Sequence, residues 1–233
     1  MKKSKDLIVN SRPKSAFSES IKTIRTNLQF SSIDKNLEVI LLTSPQPGDG
    51  KSFVSANLAI AYAQEDKKVL IIDCDLRKGR QHEIFNIRNI ATGGYSNLIL
   101  NYEPGSSISK YIIQTSIDNI HLIPTGPMPP NPIELLSSAN NNDIITRLKK
   151  RYDIIILDCP PVLGLSDTAV MTRFSDANLV VVSNKKTKIE LLEEVKKVFE
   201  RASANITGVV INKVEVKGKN SYGGYYMDGY YEK

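Results

Sequence analysis

Residues 38–52 read EVILLTSPQPGDGKS, an apolar run that passes through a loop rich in proline and glycine into Gly50-Lys51-Ser52. Strand, loop and helix start in that order make a phosphate-binding loop. Glycines let backbone N–H groups turn toward phosphate oxygens, the lysine brings a mobile positive charge, and the hydroxyl can sit on Mg2+. Gly48, Asp49, Gly50, Lys51 and Ser52 are therefore the first candidate nucleotide-binding residues. A helix starting near Lys51 would add its positive end to the same place. Pro45 stands where the full G-x-x-x-x-G-K-S pattern has its first glycine, so the reading rests on context more than on the pattern.

Outward from this stretch, further apolar runs occupy 68–74, 120–123, 153–159, 178–182 and 208–211, beside the first at 39–43. They are continuous in Ile, Val and Leu instead of alternating, as in strands covered by helices on both faces of a parallel sheet. Helical patterns fall at 17–30, 51–64, 132–137, 142–151, 167–173 and 189–202, while 81–114 is patchy and reads as short helices and turns. The order predicts an α/β nucleotide-binding fold with a mostly parallel central sheet. It divides the chain into an N-terminal segment at 1–34, a nucleotide domain at 35–214 and a tyrosine-rich tail at 215–233.

With 233 residues and 41% hydrophobic content, the chain can bury one substantial core. Its net charge of +6 is spread over 31 basic and 25 acidic residues, so charge is a weak guide to partners and no nucleic acid is expected. Cys74 and Cys159 lack metal-site spacing and read as buried, reduced thiols. Residues 1–14 are polar and basic, and no apolar run reaches 18 residues. Membrane association is accordingly expected only at the periphery or through a partner.

Two acidic sites accompany the loop. VLIIDCDLRKGR places Asp73 and Asp75 at a strand end, and YDIIILDCPP places Asp158 at another. In a parallel sheet these ends share the edge with the phosphate loop, so three carboxylates can converge on a Mg-nucleotide. Each run alone is equally what an acidic strand stop or helix cap looks like. At the other end of the chain, NSYGGYYMDGYYEK carries Tyr222, Tyr225, Tyr226, Tyr230 and Tyr231, half of the ten tyrosines. With so much glycine and so little aliphatic surface it reads as a mobile tail of candidate phosphoacceptors, or as an aromatic segment that packs on a partner.

Taken together, the phosphate loop, LIIDCDLRKG, LDCPP, SESIKTIRTNLQF near the start, IPTGPMPPNPIELL and the tyrosine cluster resemble the bacterial tyrosine kinases of capsule and exopolysaccharide synthesis over nearly the whole length. The resemblance implies a P-loop NTPase fold related to partitioning and septum-site ATPases, ATP and Mg2+ as cofactors, and autophosphorylation of the tail. It assigns Lys51 and Ser52 to phosphates and Mg2+, Asp73 to base or orienting group, Asp75 and Asp158 to the metal, and Asn212 to the adenine. Lying two residues apart at one strand end, Asp73 and Asp75 are not distinguished in role by position alone. Glu19, Lys22 and Arg25 match a motif that packs on the next subunit of a ring, possible as an octamer. Their spacing of three puts them on one helical face, where they are equally an ordinary solvated face. Lys22 replaces an arginine of the family motif, which removes a bidentate contact.

The same resemblance implies a separate transmembrane adaptor that activates the kinase and holds it peripherally at the inner face of the cell membrane, and a cognate tyrosine phosphatase. Two other readings stand beside it. A partitioning-type ATPase would carry a lysine five positions before Lys51, where this chain has Gln46. A nucleotide-switched scaffold of a polysaccharide assembly complex would use the same residues without transferring phosphate.

Overall fold

In the computed structural model, residues 6–31, 36–88 and 93–215 are described. The chain runs α1 (Ile8–Ser11), α2 (Ala16–Ser31), β1 (Val39–Thr43), α3 (Lys51–Ala63), β2 (Val69–Asp73), α4 (Gln81–Ile84) and α5 (Tyr95–Leu100). It continues through β3 (Ile113–Gln114), β4 (Ile120–Ile123), α6 (Pro132–Ser137), α7 (Ala139–Lys149), β5 (Ile154–Asp158), α8 (Asp167–Met171), β6 (Ala177–Ser183), α9 (Ile189–Arg201) and β7 (Gly208–Asn212). The strands form one sheet in the order β3-β4-β2-β5-β1-β6-β7. All neighbours are parallel except β3 and β4.

Burial explains the unbroken apolar runs. Every residue of β1, β2, β5 and β6 is buried. Successive side chains point to opposite faces: Ile40, Leu42, Ile71 and Ile156 join the core under α2 and α3, whereas Leu41, Leu70, Ile72 and Leu157 join the core under α5, α6 and α7. A third cluster joins Val180 and Val182 of β6 to Val195 and Phe199 of α9. With β1 between β5 and β6, the chain after β1 leaves at the point where strand order reverses, which is where open α/β sheets bind ligands.

Three details depart from the sequence expectation. A short antiparallel edge strand, β3, lies within the stretch expected to hold only short helices and turns; two residues are too few to carry a period. Strand β7 is read as buried from its composition, yet it is an edge strand with Val209 47% and Ile211 61% exposed. Helix α7 begins at Ala139, ahead of the expected 142, because the Ser138 hydroxyl accepts the Asn141 N–H and caps the first turn.

Candidate functional site

The loop after β1 turns through Gly48 at φ 87° and Gly50 at φ 97°, a region that side-chain-bearing residues seldom enter. At Gly50 a second constraint applies, since an added Cβ would lie 2.1 Å from Asn212 Nδ2. Asn212 donates that amide to the Asp49 carbonyl at 2.9 Å, and Lys213 Nζ donates to the Gly48 carbonyl at 2.5 Å. Asp49 is itself buried, accepting from the Thr187 hydroxyl at 3.1 Å and from the Gln46 N–H at 3.2 Å. Its carboxylate thus braces the loop, and β7 holds the loop from the side.

Helix α3 starts at Lys51. Lys51 Nζ lies 3.1 Å from Asp75 Oδ2, 3.5 Å from Asp158 Oδ1 and 3.3 Å from the Ser52 hydroxyl. Strands β2 and β5 pair Asp73 with Asp158 in register, which is why both carboxylates reach one place. Burial alone would lower the Lys51 pKa; the neighbouring charges of Asp158, Asp75 and Asp73 outweigh it and raise it, so Lys51 is a fixed cation. Asp73, fully buried, is pushed up to about 8 by desolvation and by Asp158, against the opposing pull of the Gln81 N–H and Lys51.

The structure brings Gly48, Gly50, Lys51, Ser52 and Asp75 onto the wall of one cavity of about 480 Å3, together with Arg77, Lys78 and Arg80. Asp73 and Asp158 lie behind it with no solvent exposure. Asp75 and Asp158 against one ammonium leave an acidic excess, and Asp73 Oδ1 has no hydrogen-bond partner among the described residues. The donors are a hydroxyl and carboxylates, the hard oxygens that Mg2+ takes. Among the described residues no three carboxylates are arranged as ligands to one metal ion; Ser52 and Asp75 on the cavity wall are the oxygens placed to hold a divalent cation beside a phosphate cradle.

Gln81, which sequence reasoning passed over, ties these parts together. Its side-chain N–H group donates to Asp158 Oδ2 at 2.8 Å and to the Ser52 carbonyl at 3.0 Å, while its backbone N–H donates to Asp73 Oδ2 at 2.9 Å. The one sequence signal is its place straight after the basic loop that leaves β2. Arg77 is aimed by Asp167, whose fully buried carboxylate lies 3.1 Å away.

The remaining candidates lie apart. On α2, Lys22 pairs with Glu19 at 2.8 Å. Arg25 turns inward, donating to the Ala61 carbonyl at 2.7 Å and pairing with Glu65 at 2.9 Å. The cysteines are free and buried, as expected. Tyr222, Tyr225, Tyr226, Tyr230 and Tyr231 lie outside the described residues.

Residues 37–208 match the AAA domain family. The chain is 34% identical to the tyrosine-protein kinase YwqD of Bacillus subtilis over 221 residues, 95% of this chain and 91% of that one. Its fold superposes on the chimerical protein CapA2B2 with a TM-score of 0.83 at 38% identity, covering 90% of each chain. The chain belongs to the bacterial tyrosine kinases. The kinase is ATP-dependent, and its activity is linked to capsule and exopolysaccharide biosynthesis. The septum site-determining protein MinD of Pyrococcus horikoshii aligns at 23% identity and a TM-score of 0.59 over 75% of this chain and 69% of that one, a likeness of fold alone. The kinase therefore keeps the P-loop architecture of the partitioning ATPases and Gln46 in place of their loop lysine. Among the described residues no helix is long and apolar enough to cross a membrane.

Proposed function

We propose that the kinase phosphorylates the tyrosine cluster of its own C-terminal segment, with the tail of one copy entering the site of another. The observation that carries this reading is the burial of every other tyrosine: Tyr62, Tyr95, Tyr102, Tyr111 and Tyr152 are at most 6% exposed. A phenol must reach the transferred phosphoryl group in line, and these five are held in the core. Tyr222, Tyr225, Tyr226, Tyr230 and Tyr231 are the acceptors that remain.

In this reading residues 35–214 are the kinase domain, 1–34 an oligomerisation segment and 215–233 the substrate tail. Backbone N–H groups of the loop from Gly48 to Ser52 and the charge of Lys51 hold the phosphates and favour the transition state. Asp73, with its raised pKa, is suited to take the phenol proton or to orient the hydroxyl. Ser52, Asp75 and Asp158 would hold Mg2+, which neutralises phosphate charge when bound. Gln81 keeps Asp158, Asp73 and the start of α3 in one arrangement, and Arg77, aimed by Asp167, faces the cavity as a further charge for the nucleotide. Asn212 donates its amide to the Asp49 carbonyl and braces the loop; the contact with the adenine is proposed on the family resemblance alone.

Glu19 and Lys22 remain available on α2 for contacts between copies in an octameric ring, with Arg25 fixing α2 against α3. A transmembrane adaptor of the polysaccharide chain-length family would activate the kinase and keep it at the inner face of the membrane; the chimera CapA2B2 supports the coarser idea of such a partner. A tyrosine phosphatase would reset the tail. The test is mass spectrometry after incubation with Mg-ATP and the cytosolic part of the adaptor. Phosphate on residues 222–231, lost in Lys51→Ala, is the expected result. Nucleotide-dependent assembly or phosphate release without phosphotyrosine would instead give the scaffold or ATPase reading.

A further inference from the structure

At the opposite end of the sheet from Lys51, the amino ends of β1, β2 and β5 border a second cleft of about 480 Å3. It is lined by five cationic side chains and two carboxylates. Lys149 is neutralised by Glu38 at 3.0 Å and Asp176 at 3.7 Å. Among the described residues, Lys67, Lys150 and Arg151 show no side-chain hydrogen bond or ion pair, and all three are exposed. Lys68 Nζ stands 5.2 Å above the ring of Tyr152.

Cations at the carboxyl ends of α3 and α7 offset the helix dipoles, but each end supplies only about half a unit of negative charge. Together they are less than the excess of two cations left when Asp176 is counted beside Glu38 and Asp153. Tyr62 and Tyr152 add aromatic surface to the lining. A concave pocket joining cations and aromatic walls fits an aryl phosphate. A lipid surface asks for a flat or convex basic face.

We propose that this cleft binds phosphotyrosine, its occupant being the phosphorylated cluster at 222–231 of this chain's own C-terminal segment. The proposal rests on the tail being a substrate. Charge complementarity arises only after the reaction: residues 220–233 carry Asp228, Glu232 and Lys233, and each phosphate adds about 1.5 to 2 negative charges and three strong acceptor oxygens. Fifteen residues lie between Glu215 and Tyr231, which gives the segment an extended reach of about 55 Å. Occupancy would place product next to α2, whose Gln29 also lines the cleft.

The experiment is titration of phosphatase-treated full-length kinase, without ATP, with a synthetic peptide of residues 220–233 in phosphorylated and unphosphorylated forms. Parallel titrations use inorganic phosphate and phosphatidylglycerol vesicles. The phosphopeptide is expected to bind at least about tenfold more tightly than the plain peptide, given charge-assisted contacts. Lys150→Glu with Arg151→Glu, both exposed positions, should remove that advantage, as should Lys67→Glu from a different element. Equal binding of the two peptides, an advantage that survives both charge reversals, or inorganic phosphate binding as tightly as the phosphopeptide would overturn the proposal. Vesicle binding that displaces the phosphopeptide and is lost with the same reversals would assign the cleft to a membrane and overturn it too. Absence of phosphate on residues 222–231 of wild-type kinase, seen by mass spectrometry, is a separate failure and concerns the tail as substrate.

Discussion

At the carboxyl ends of β1, β2 and β5, Lys51 is buried among Asp73, Asp75 and Asp158. At the amino ends of the same strands, Lys67, Lys68, Lys150 and Arg151 stand exposed around a cleft with two carboxylates. One sheet thus carries two electrostatic arrangements. In the buried one each charge has a fixed partner at hydrogen-bond distance, so position is specified and removal of one member disturbs the rest. In the exposed one the side chains are solvated and screened, so they add attraction without fixing geometry. Chemistry needs the first kind of site; reversible capture of an anion is served by the second.

The buried end should break first and furthest. Lys51→Ala is expected to lower the phosphoryl-transfer rate by roughly 100- to 1,000-fold, the scale seen when one preorganised charge-stabilising donor is removed, while far-UV circular dichroism stays native. A turnover number within twofold of wild type would remove Lys51 from the site. Gln81→Ala should cost less, about 10- to 30-fold in kcat, because it loosens Asp158 and the start of α3 without deleting a charge. A KM for ATP that stays within about threefold, with a small change in Tm, would mark Gln81 as a positioning residue. A rate loss explained wholly by unfolding at the assay temperature would count against that role.

The contrast between Lys51 and Gln81 also shows what the sequence reveals. Lys51, Asp73, Asp75 and Asp158 were legible because each ends or follows an apolar run, and parallel topology carries such ends to one edge. Gln81 was not, since a neutral amide in an irregular stretch has no period and no charge to announce it; only the fold brings it to Asp158. Arg25 gives a related lesson. Spacing of three placed it on a helical face with Glu19 and Lys22, yet spacing says nothing about what faces it, and the Ala61 carbonyl takes its side chain. Strand β7, like β6, is rich in valine, and nothing in its residues tells that among the described residues no further strand lies beyond it. The tail tyrosines stand out by composition alone.

A smaller effect comes from the raised pKa of Asp73. Its folded value near 8 lies above the ordinary aspartate range, so the folded state holds this proton more tightly than the unfolded chain does. Asp73 therefore costs no stability below about pH 4, and the cost grows as pH rises through the interval up to about 8. Asp73→Asn removes the ionisation while its amide oxygen can still accept the Gln81 N–H. Without nucleotide or Mg2+, the variant should match wild type in Tm near pH 4 and exceed it by a few degrees at pH 8. A Tm difference independent of pH would show that desolvation does not govern this carboxyl.

The smallest expected effect tests the exposed end. Lys150 makes no ion pair among the described residues and is open to solvent, so Lys150→Ala should change folding stability by no more than about 0.5 kcal/mol, as for most surface substitutions away from caps and buried pairs. Urea titration of wild type and variant at 0.05 and 0.5 M salt gives the comparison. If the cationic excess is uncompensated, removing one member relieves like-charge repulsion, and the variant should be slightly the more stable at low salt, with the difference vanishing at high salt. A clear destabilisation at both salt concentrations would mean that Lys150 is held by a partner as the buried charges are, and the electrostatic distinction between the two ends of the sheet would fail at its exposed end.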